Sequence, residues 1–259
     1  MGSSSLAVAA SGLLAVLGAL TLLWLVSLRL RDASIIDPFW GPGFALAALT
    51  YYLVDGGRSA RGTLVLVLVA VWAARLGAHL LFRNRREGED PRYRAMRERH
   101  GERFGRVSLF RVFWLQGVIL WIISAPLLAS VRSTRPLGAL DVLGAGVFLV
   151  GLLAESAADR QLVHFRADPA NRGRVLDSGL WRYSRHPNYF GDAVVWWGLW
   201  LVAAGAGGWW TAFAPAAMTF LLMRVSGVPL LEKSLTSSRP GYAEYVRRTS
   251  AFVPWFPKK

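Results

Sequence analysis

Long blocks of apolar residues, each close to the length of a membrane span, alternate along the chain with short polar segments. A helix needs about 20 apolar residues to cross a hydrocarbon core of roughly 30 Å. The pattern predicts an all-α, polytopic membrane protein with about seven transmembrane helices in a single domain over residues 1–259. The predicted spans cover approximately residues 6–28, 43–54, 62–82, 109–131, 138–157, 189–206 and 209–227.

The first two spans need separate comment. Leu6–Leu28 has no basic residues before it and is longer than the roughly 7–15 apolar residues of a signal peptide, so it is interpreted as a span. The second block is too short to cross alone, and two prolines and two glycines lie between Asp37 and Gly43. These residues disfavour a regular helix, which predicts a short broken or re-entrant element.

Charge gives the expected orientation. The formal net charge is +14, and most Lys and Arg lie in segments 83–106, 160–185 and 224–259. An outward N-terminus places all three segments on one side, as the positive-inside rule requires of cytoplasmic loops. We therefore expect a cytoplasmic C-terminus and active-site loops, in the inner or plasma membrane if the source is bacterial. Basic loops of this kind favour membrane lipids and anionic ligands over nucleic acid.

Several chemistries are disfavoured by what the sequence lacks. It contains no Cys, which excludes disulfides and thiolate catalysis, and its four His show no ligand spacing, so no metal site is expected. There is no P-loop, no GxSxG motif and no GxGxxG motif after a strand. A dinucleotide, if one binds, does not bind to a Rossmann domain.

Polar residues within apolar blocks are the first candidates for function, because they are costly in a membrane unless they face a cavity or a partner. Arg75, His79 and Arg83 are four residues apart and share one helix face, and Glu155 and Asp159 share another. Each group has a structural alternative: snorkelling, a salt bridge or a satisfied core histidine. Asp37, in the broken element, fits either a lined cavity or a helix cap.

The richest polar stretch is Asp177–Asp192, just before a predicted span. Arg182 and Arg185 can bind phosphate or carboxylate as planar forks. Pro187 is expected to start a helix whose free N–H groups also favour anions. A ligand site is the favoured interpretation, and an ordinary basic loop at the membrane edge is the alternative. Segment 83–106 is equally open between a solvated loop and part of a site, and Arg239–Arg248 is predicted to form a short surface helix.

Ordered motifs along most of the chain resemble the DUF1295 group of steroid 5-alpha-reductase-like membrane proteins. The motif SRHPNYFG at 184–191 carries the resemblance most clearly. The others are SIIDPFWG at 34–41, Arg75, His79 and Arg83 followed by GEDPRY at 88–93, Glu155 with Asp159-Arg160-Gln161, GLW at 179–181, PLLEK at 229–233 and RPGY at 239–242.

The resemblance implies a seven-helix reductase that binds NADPH and transfers hydride to an electron-poor double bond. By position, Asp37 approximates the catalytic Glu of the steroid enzymes, and His79 matches their His. Together with the polar stretch, the resemblance predicts a cofactor site mainly within residues 138–259. Its candidate residues are Arg83, Glu155, Asp159, Arg166, Arg182, Tyr183, Arg185, His186, Asn188, Tyr189, Arg224, Glu232 and Tyr242.

One departure from the family pattern concerns the substrate. The steroid enzymes have a Tyr directly after the His of the third span, and this chain has Leu80. Tyr51 or Tyr52 is the candidate replacement, with Tyr51 placed in the catalytic set beside Asp37 and His79.

A second resemblance gives the competing hypothesis. Isoprenylcysteine carboxyl methyltransferases and phospholipid methyltransferases share an Arg-His-Pro-x-Tyr-x-Gly type of loop and use S-adenosylmethionine. They usually carry a pair of Glu near the last span, whereas this chain has Glu232 followed by Lys233. The expected function is therefore an NADPH-dependent reductase of a C=C bond in a steroid-like or other lipid. A membrane methyltransferase and a non-catalytic lipid-binding protein remain alternatives, and no protein partner is evident.

Overall fold

A computed structural model describes residues 4–56, 59–225, 228, 232 and 239–258, without the side chains of residues 85–87. Within these ranges the regular structure is entirely helical. The PLLEK motif at 229–233 lies outside the described residues apart from Glu232, as do Arg58 and the last two residues of the seventh predicted span.

Four helical stretches of the described chain are long and apolar enough to cross a membrane, namely Ser5–Leu30, Ala60–Asn84, Pro91–Ile123 and Ala139–Ala167. The all-helical membrane class is thereby confirmed. The number of spans, seven, stays a prediction, since α2 (Trp40–Val54) is short and other apolar blocks do not meet the same length and composition.

The chain divides into two compact units. Unit 1 comprises Met1–Gly138 and Val202–Thr211, and unit 2 comprises Ala139–Leu201 and Ala212–Lys259. Unit 2 begins at Ala139, and the cofactor-binding role of residues 138–259 stays a prediction.

Unit 1 is built on α1 (Ser5–Leu30), α2 and α3 (Ala60–Glu87), with α2 packed against the other two. Its remaining helices are α4 (Pro91–His100), α5 (Phe104–Ser108), α6 (Leu115–Ile123) and α7 (Ala125–Val131). A 3₁₀ segment joins α4 to α5, and a π-helical turn at Leu109–Trp114 joins α5 to α6. Small residues allow close packing: a Cβ on Gly12 would lie 2.1 Å from the ring of Tyr51.

The Pro/Gly-rich element differs in part from its prediction. Asp37 and Pro38 lie in a 3₁₀ segment, Ala33–Phe39, which agrees with the predicted break in regular α-helix. However, Gly41, Pro42 and Gly43 lie in the first turn of α2, which begins at Trp40. A proline is tolerated there because the first N–H groups of a helix have no partner within the helix.

The polar segment after α3 is a helix and not an open loop. Asp90 caps α4 by accepting a hydrogen bond from the N–H of Arg92, and Pro91 occupies the first turn. Both are strong helix-start signals. Tyr93 in this helix is buried, and Glu89 accepts the N–H of Ala33, which ties the end of α3 to the 3₁₀ segment.

Unit 2 contains α8 (Ala139–Ala167), most of α9 (Pro187–Gly205), α10 (Phe213–Phe220) and α11 (Tyr242–Arg248). A π-helical turn, Leu221–Val225, follows α10. As predicted, Pro187 begins α9. The helix expected near Arg239–Arg248 is also present, although its Tyr242 and Tyr245 are buried.

Helices α8 and α9 approach closely through glycines, a usual feature of membrane helix interfaces. A Cβ on Gly191 would lie 2.5 Å from the backbone nitrogen of Glu155, and one on Gly198 would lie 2.8 Å from the carbonyl oxygen of Gly144. Gly144 thus takes part in the α8–α9 contact, whereas a Cβ on Gly146 would meet nothing within 4 Å.

We expect Gly191→Ala to destabilise the protein by about 1–3 kcal/mol, because the clash is with backbone and cannot be relieved by a rotamer change. Gly146→Ala on the facing helix is the matched control and should be neutral or stabilising by up to about 1 kcal/mol, through helix propensity. Thermal unfolding of both variants in the same detergent measures the difference. Equal midpoints for the two would contradict the close approach of α8 and α9.

Candidate functional site

The carboxyl of Asp37 is the centre of a polar cluster in unit 1, here called the Asp37 cluster: Asp37, Arg83, Arg92, Tyr93 and Gln116. The Tyr93 hydroxyl donates to Asp37 Oδ1 at 3.1 Å, and Gln116 Nε2 donates to the Tyr93 oxygen at 3.4 Å. Guanidinium nitrogens of Arg92 and Arg83 lie 3.8 and 4.0 Å from Asp37 Oδ2. The side chain of Asp37 is only 17% exposed.

The Asp37 side chain does not cap either of the neighbouring helical elements. Asp32 caps the 3₁₀ segment by accepting the N–H of Ser34, and α2 has no side-chain cap at Phe39. Burial raises the pKa of Asp37, while Arg92, the Tyr93 hydrogen bond and Arg83 lower it, and burial has the larger effect. A raised carboxyl pKa favours the protonated form, which can donate a proton.

The acidic segment before α4 holds the Asp37 cluster in position. Asp90 forms a bidentate pair with Arg92, and its N–H donates to the Ser34 hydroxyl at 2.6 Å. Glu89 pairs with Arg97 at 2.7 Å. Burial alone would raise the pKa of Glu89 and Asp90, but their hydrogen bonds and arginine partners lower it overall, so both carboxylates are ionised anchors.

A narrow apolar crevice adjoins the Asp37 cluster and is too constricted to admit a water molecule. Its lining residues are Leu20, Ile36, Phe39, Trp40, Gln116 and Leu120. Gln116 belongs to both features, because its amide also donates to Tyr93. The crevice is therefore joined to the Asp37–Tyr93 pair through Gln116.

The other catalytic candidates also belong to unit 1. The Tyr51 hydroxyl is hydrogen-bonded to the Ser124 hydroxyl at 2.7 Å in the buried core, and that of Tyr52 to Thr63 at 2.9 Å. His79 is half-buried on α3, within the same helix as Arg75 and Arg83. Tyr93 is thus the tyrosine that contacts Asp37. In the sequence, Tyr93 is part of the GEDPRY motif and nothing pairs it with Asp37, although the Asp90-Pro91 helix start predicts that it lies on a helix.

Unit 2 brings together a second set of predicted residues, the Asn188 cluster: Glu155, Asp159 and Asn188. Glu155 and Asp159 are 3% and 4% exposed on α8. The Asn188 amide, on the first turn of α9, donates to Asp159 Oδ1 at 3.0 Å. Its own carbonyl oxygen is buried and accepts no hydrogen bond from the described part of the chain. A buried acceptor of this kind is costly and fits a ligand N–H.

Exposed arginines accompany this cluster in unit 2. Arg166 ends α8, Arg182 precedes α9 and Arg224 lies in the π-helical turn, and all three are exposed. Arginine is well suited to phosphate because it presents a planar fork of donors. The position of Asn188 within α9 follows from Pro187, which makes it one of the first residues of that helix.

Arg185, His186 and Glu232 form a hydrogen-bonded group of side chains, here called the Arg185 network. Arg185 Nε donates to Glu232 at 2.7 Å, and Nη1 donates to the carbonyls of Val246 and Thr249 at 2.9 and 2.8 Å. His186 Nε2 lies 3.2 Å from the same Glu232 oxygen. Burial alone would raise the pKa of Glu232, but the hydrogen bonds and charges of His186 and Arg185 lower it overall.

Three tyrosines complete the predicted set. Tyr189 stacks on His186 with centroids 5.6 Å apart, and Tyr183 is 38% exposed. Tyr242 is buried, and burial followed by the charge of Glu232 raises its pKa to about 12. The Glu232 carboxylate, at the centre of the Arg185 network, is therefore hydrogen-bonded to His186 and acts on Tyr242 through its charge.

Among the described residues, no group of three His, Asp or Glu side chains is arranged to hold a metal ion. Most of the candidate residues form three polar groups: the Asp37 cluster in unit 1, and the Asn188 cluster and the Arg185 network in unit 2.

Comparison with known proteins assigns this membrane protein to a family. The family model described as "Protein of unknown function (DUF1295)" matches residues 23–249, so the chain belongs to the DUF1295 family. It is also similar to a protein of Schizosaccharomyces pombe named "Uncharacterized protein C594.04c". The two are 26% identical, over 90% of this chain and 75% of the yeast protein. No solved structure matches the chain.

Proposed function

We propose that the protein is an NADPH-dependent reductase of a carbon–carbon double bond in a steroid-like or other lipid substrate. The hydrogen-bonded pair of Asp37 and Tyr93 beside an apolar crevice is the observation that carries the proposal. A carboxyl and a hydroxyl in this setting suit proton delivery to an apolar molecule.

The residues of unit 2 fit the cofactor. The buried carbonyl oxygen of Asn188 fits an N–H of a carboxamide, and Glu155 and Asp159 fit ribose hydroxyls. Arg166, Arg182 and Arg224 supply positive charge for phosphates. When bound, NADPH supplies a hydride; the remaining requirement of a C=C reduction is one proton.

Within unit 1, Asp37 and Tyr93 form a group that can deliver a proton. Asp37, with its raised pKa, can hold a proton that passes to the substrate directly or through the Tyr93 hydroxyl. Gln116 orients the Tyr93 oxygen, and the apolar lining of the crevice keeps water away from the transfer. The substrate would enter sideways from the lipid phase.

The same observation separates this proposal from its alternatives. Methyl transfer from S-adenosylmethionine to a carboxylate needs no proton donor, so the Asp37–Tyr93 pair favours the reductase over the methyltransferase. The reductase explains both the Asp37 cluster and the Asn188 cluster.

Cofactor binding is tested directly on the purified protein. We expect NADPH to raise the thermal midpoint and to bind with a dissociation constant in the low-micromolar range or tighter, roughly 8 kcal/mol or more. Stabilisation by S-adenosylmethionine instead would favour the methyltransferase. The absence of stabilisation by either would contradict both cofactor hypotheses.

We expect Asn188→Ala to weaken NADPH binding by roughly tenfold or more, because one hydrogen bond to a buried group is lost. Asn171→Ala is the matched control: this half-buried asparagine of the same unit donates to the Phe165 carbonyl at 3.1 Å. Its replacement should leave NADPH affinity unchanged. Calorimetric titration of both variants decides, and equal affinities would remove Asn188 from the cofactor site.

We also propose seven spans with an outward N-terminus and a cytoplasmic C-terminus. The support is the concentration of Lys and Arg in segments 83–106, 160–185 and 224–259. An odd number of spans places the termini on opposite sides. A C-terminal reporter that is active only in the cytoplasm should therefore be active. Activity of a C-terminal reporter that works only outside the cytoplasm would contradict this orientation.

A further inference from the structure

The segment from Ser250 to Lys258, here called the aromatic segment, presents large apolar side chains to its surroundings. Trp255 is 70% exposed, Phe256 is 77% exposed and Val253 is 56% exposed. Contiguous exposed apolar groups of this size commonly mark a surface that contacts a membrane or another molecule.

These side chains are held outward by the backbone. The N–H of Trp255 donates to the carbonyl of Tyr183 at 2.9 Å, and the N–H of Lys258 donates to the carbonyl of Arg248 at 2.9 Å. The Phe256 ring packs edge-on against the Tyr183 ring, with centroids 6.1 Å apart. The exposure of Trp255 and Phe256 is therefore a property of an ordered conformation.

The same segment is joined to the SRHPNYFG motif. The N–H of Arg185 donates to the carbonyl of Ser250 at 2.9 Å, and the Ser184 hydroxyl donates to the carbonyl of Phe252 at 2.8 Å. The Arg185 side chain adds a bond to the carbonyl of Thr249 at 2.8 Å. A contact that fixes the position of the aromatic segment therefore also fixes the position of residues 183–185.

Charge identifies the chemistry of the contact surface. Residues 239–259 contain five basic residues and one acidic residue, Glu244. Tryptophan is enriched where hydrocarbon meets water, and basic residues are attracted to anionic lipid headgroups. Apolar rings combined with this charge match the interface of a bilayer that contains anionic lipids.

We propose that Trp255 and Phe256 insert into the interfacial region of a bilayer that contains anionic lipids. This contact fixes the depth of the aromatic segment and, through its backbone bonds, the depth of Ser184 and Arg185 at the membrane surface. The proposal does not depend on which reaction the protein catalyses.

The absence of Cys from the sequence makes the test direct, because one introduced cysteine can be labelled selectively. The full-length Phe256→Cys variant would be labelled with bimane and placed in nanodiscs of phosphatidylcholine, with or without phosphatidylglycerol. Lipids that carry a nitroxide near the glycerol should quench the label more strongly than lipids with a nitroxide at the chain end. Quenching should increase with phosphatidylglycerol and decrease with salt, which screens charge.

Ala170→Cys, at an exposed position in the polar turn Pro169–Asn171, is the matched control and should be quenched by aqueous iodide. Iodide quenching of the Phe256 label as strong as that of the Ala170 label, without lipid quenching, would overturn the proposal. Protection of the Phe256 label from both quenchers would also overturn it, since the rings would then be covered by protein.

Discussion

Asp37→Asn is expected to lower the reduction of a genuine lipid substrate by about 10²-fold or more, while NADPH binding and stability stay close to those of the wild type. The amide keeps the size of the carboxyl but cannot deliver its proton. Loss of the contacts with Arg83 and Arg92 costs little, because these pairs are 4.0 and 3.8 Å long and their arginines are 37% and 46% exposed. NADPH consumption with a panel of unsaturated lipids, followed by mass spectrometry of the products, provides the measurement.

Tyrosine variants locate the proton path. Tyr93→Phe removes the hydroxyl that donates to Asp37 and should also lower turnover, whereas Tyr51→Phe removes a hydroxyl bonded to Ser124 and should retain it. Normal turnover in Tyr93→Phe together with low turnover in Tyr51→Phe would instead support the catalytic role that the sequence predicts for Tyr51. Wild-type turnover by Asp37→Asn would exclude Asp37 as the acid and make Glu155 the next candidate.

Arg185→Ala is expected to release α11 and the aromatic segment from residues 183–185. The guanidinium donates to Glu232 and to two backbone carbonyls, and a hydrogen bond to a charged group contributes about 1.5–3 kcal/mol. Loss of roughly 3 kcal/mol of local stability would raise amide exchange across residues 242–255 by about 10²-fold. Hydrogen exchange with mass spectrometry measures this directly.

Arg182→Ala is the matched control for Arg185→Ala. Arg182 is exposed three residues earlier in the chain, so its removal should leave the exchange of residues 242–255 unchanged. Under the proposed function it should weaken NADPH binding. Wild-type amide exchange in Arg185→Ala, together with lost NADPH affinity, would contradict this and support the direct contact with the cofactor that the motif predicts for Arg185.

Local features of the chain could be predicted because their causes are local. Hydrophobic blocks gave the membrane class, Pro187 marked the start of α9, and the Pro/Gly-rich stretch marked a break before α2. The stripe formed by Arg75, His79 and Arg83 lies on one helix, as its spacing predicts. These signals depend on backbone constraints and on burial, which act over a few residues.

The partners of the functional candidates depended on contacts between distant segments. Asp37 and Tyr93 are 56 residues apart, and the sequence alone offered Tyr51 as the tyrosine. The sequence predicts that Arg185 binds a ligand, and that role stays a prediction. Only the structure shows that its Nη1 donates to carbonyls 61 and 64 residues further along the chain. Helical periodicity states which residues share a face, but not which face of another helix they will meet.

The sequence by itself therefore determined the helical membrane class, the family motifs and the residue types available for chemistry. Only the tertiary structure decided that Tyr93 donates to Asp37, that Asn188 pairs with Asp159, and that Arg185 binds the backbone of the segment after α11. The physical reason is the short range of hydrogen bonds: a partner must lie within about 3 Å, and packing of whole helices sets that distance.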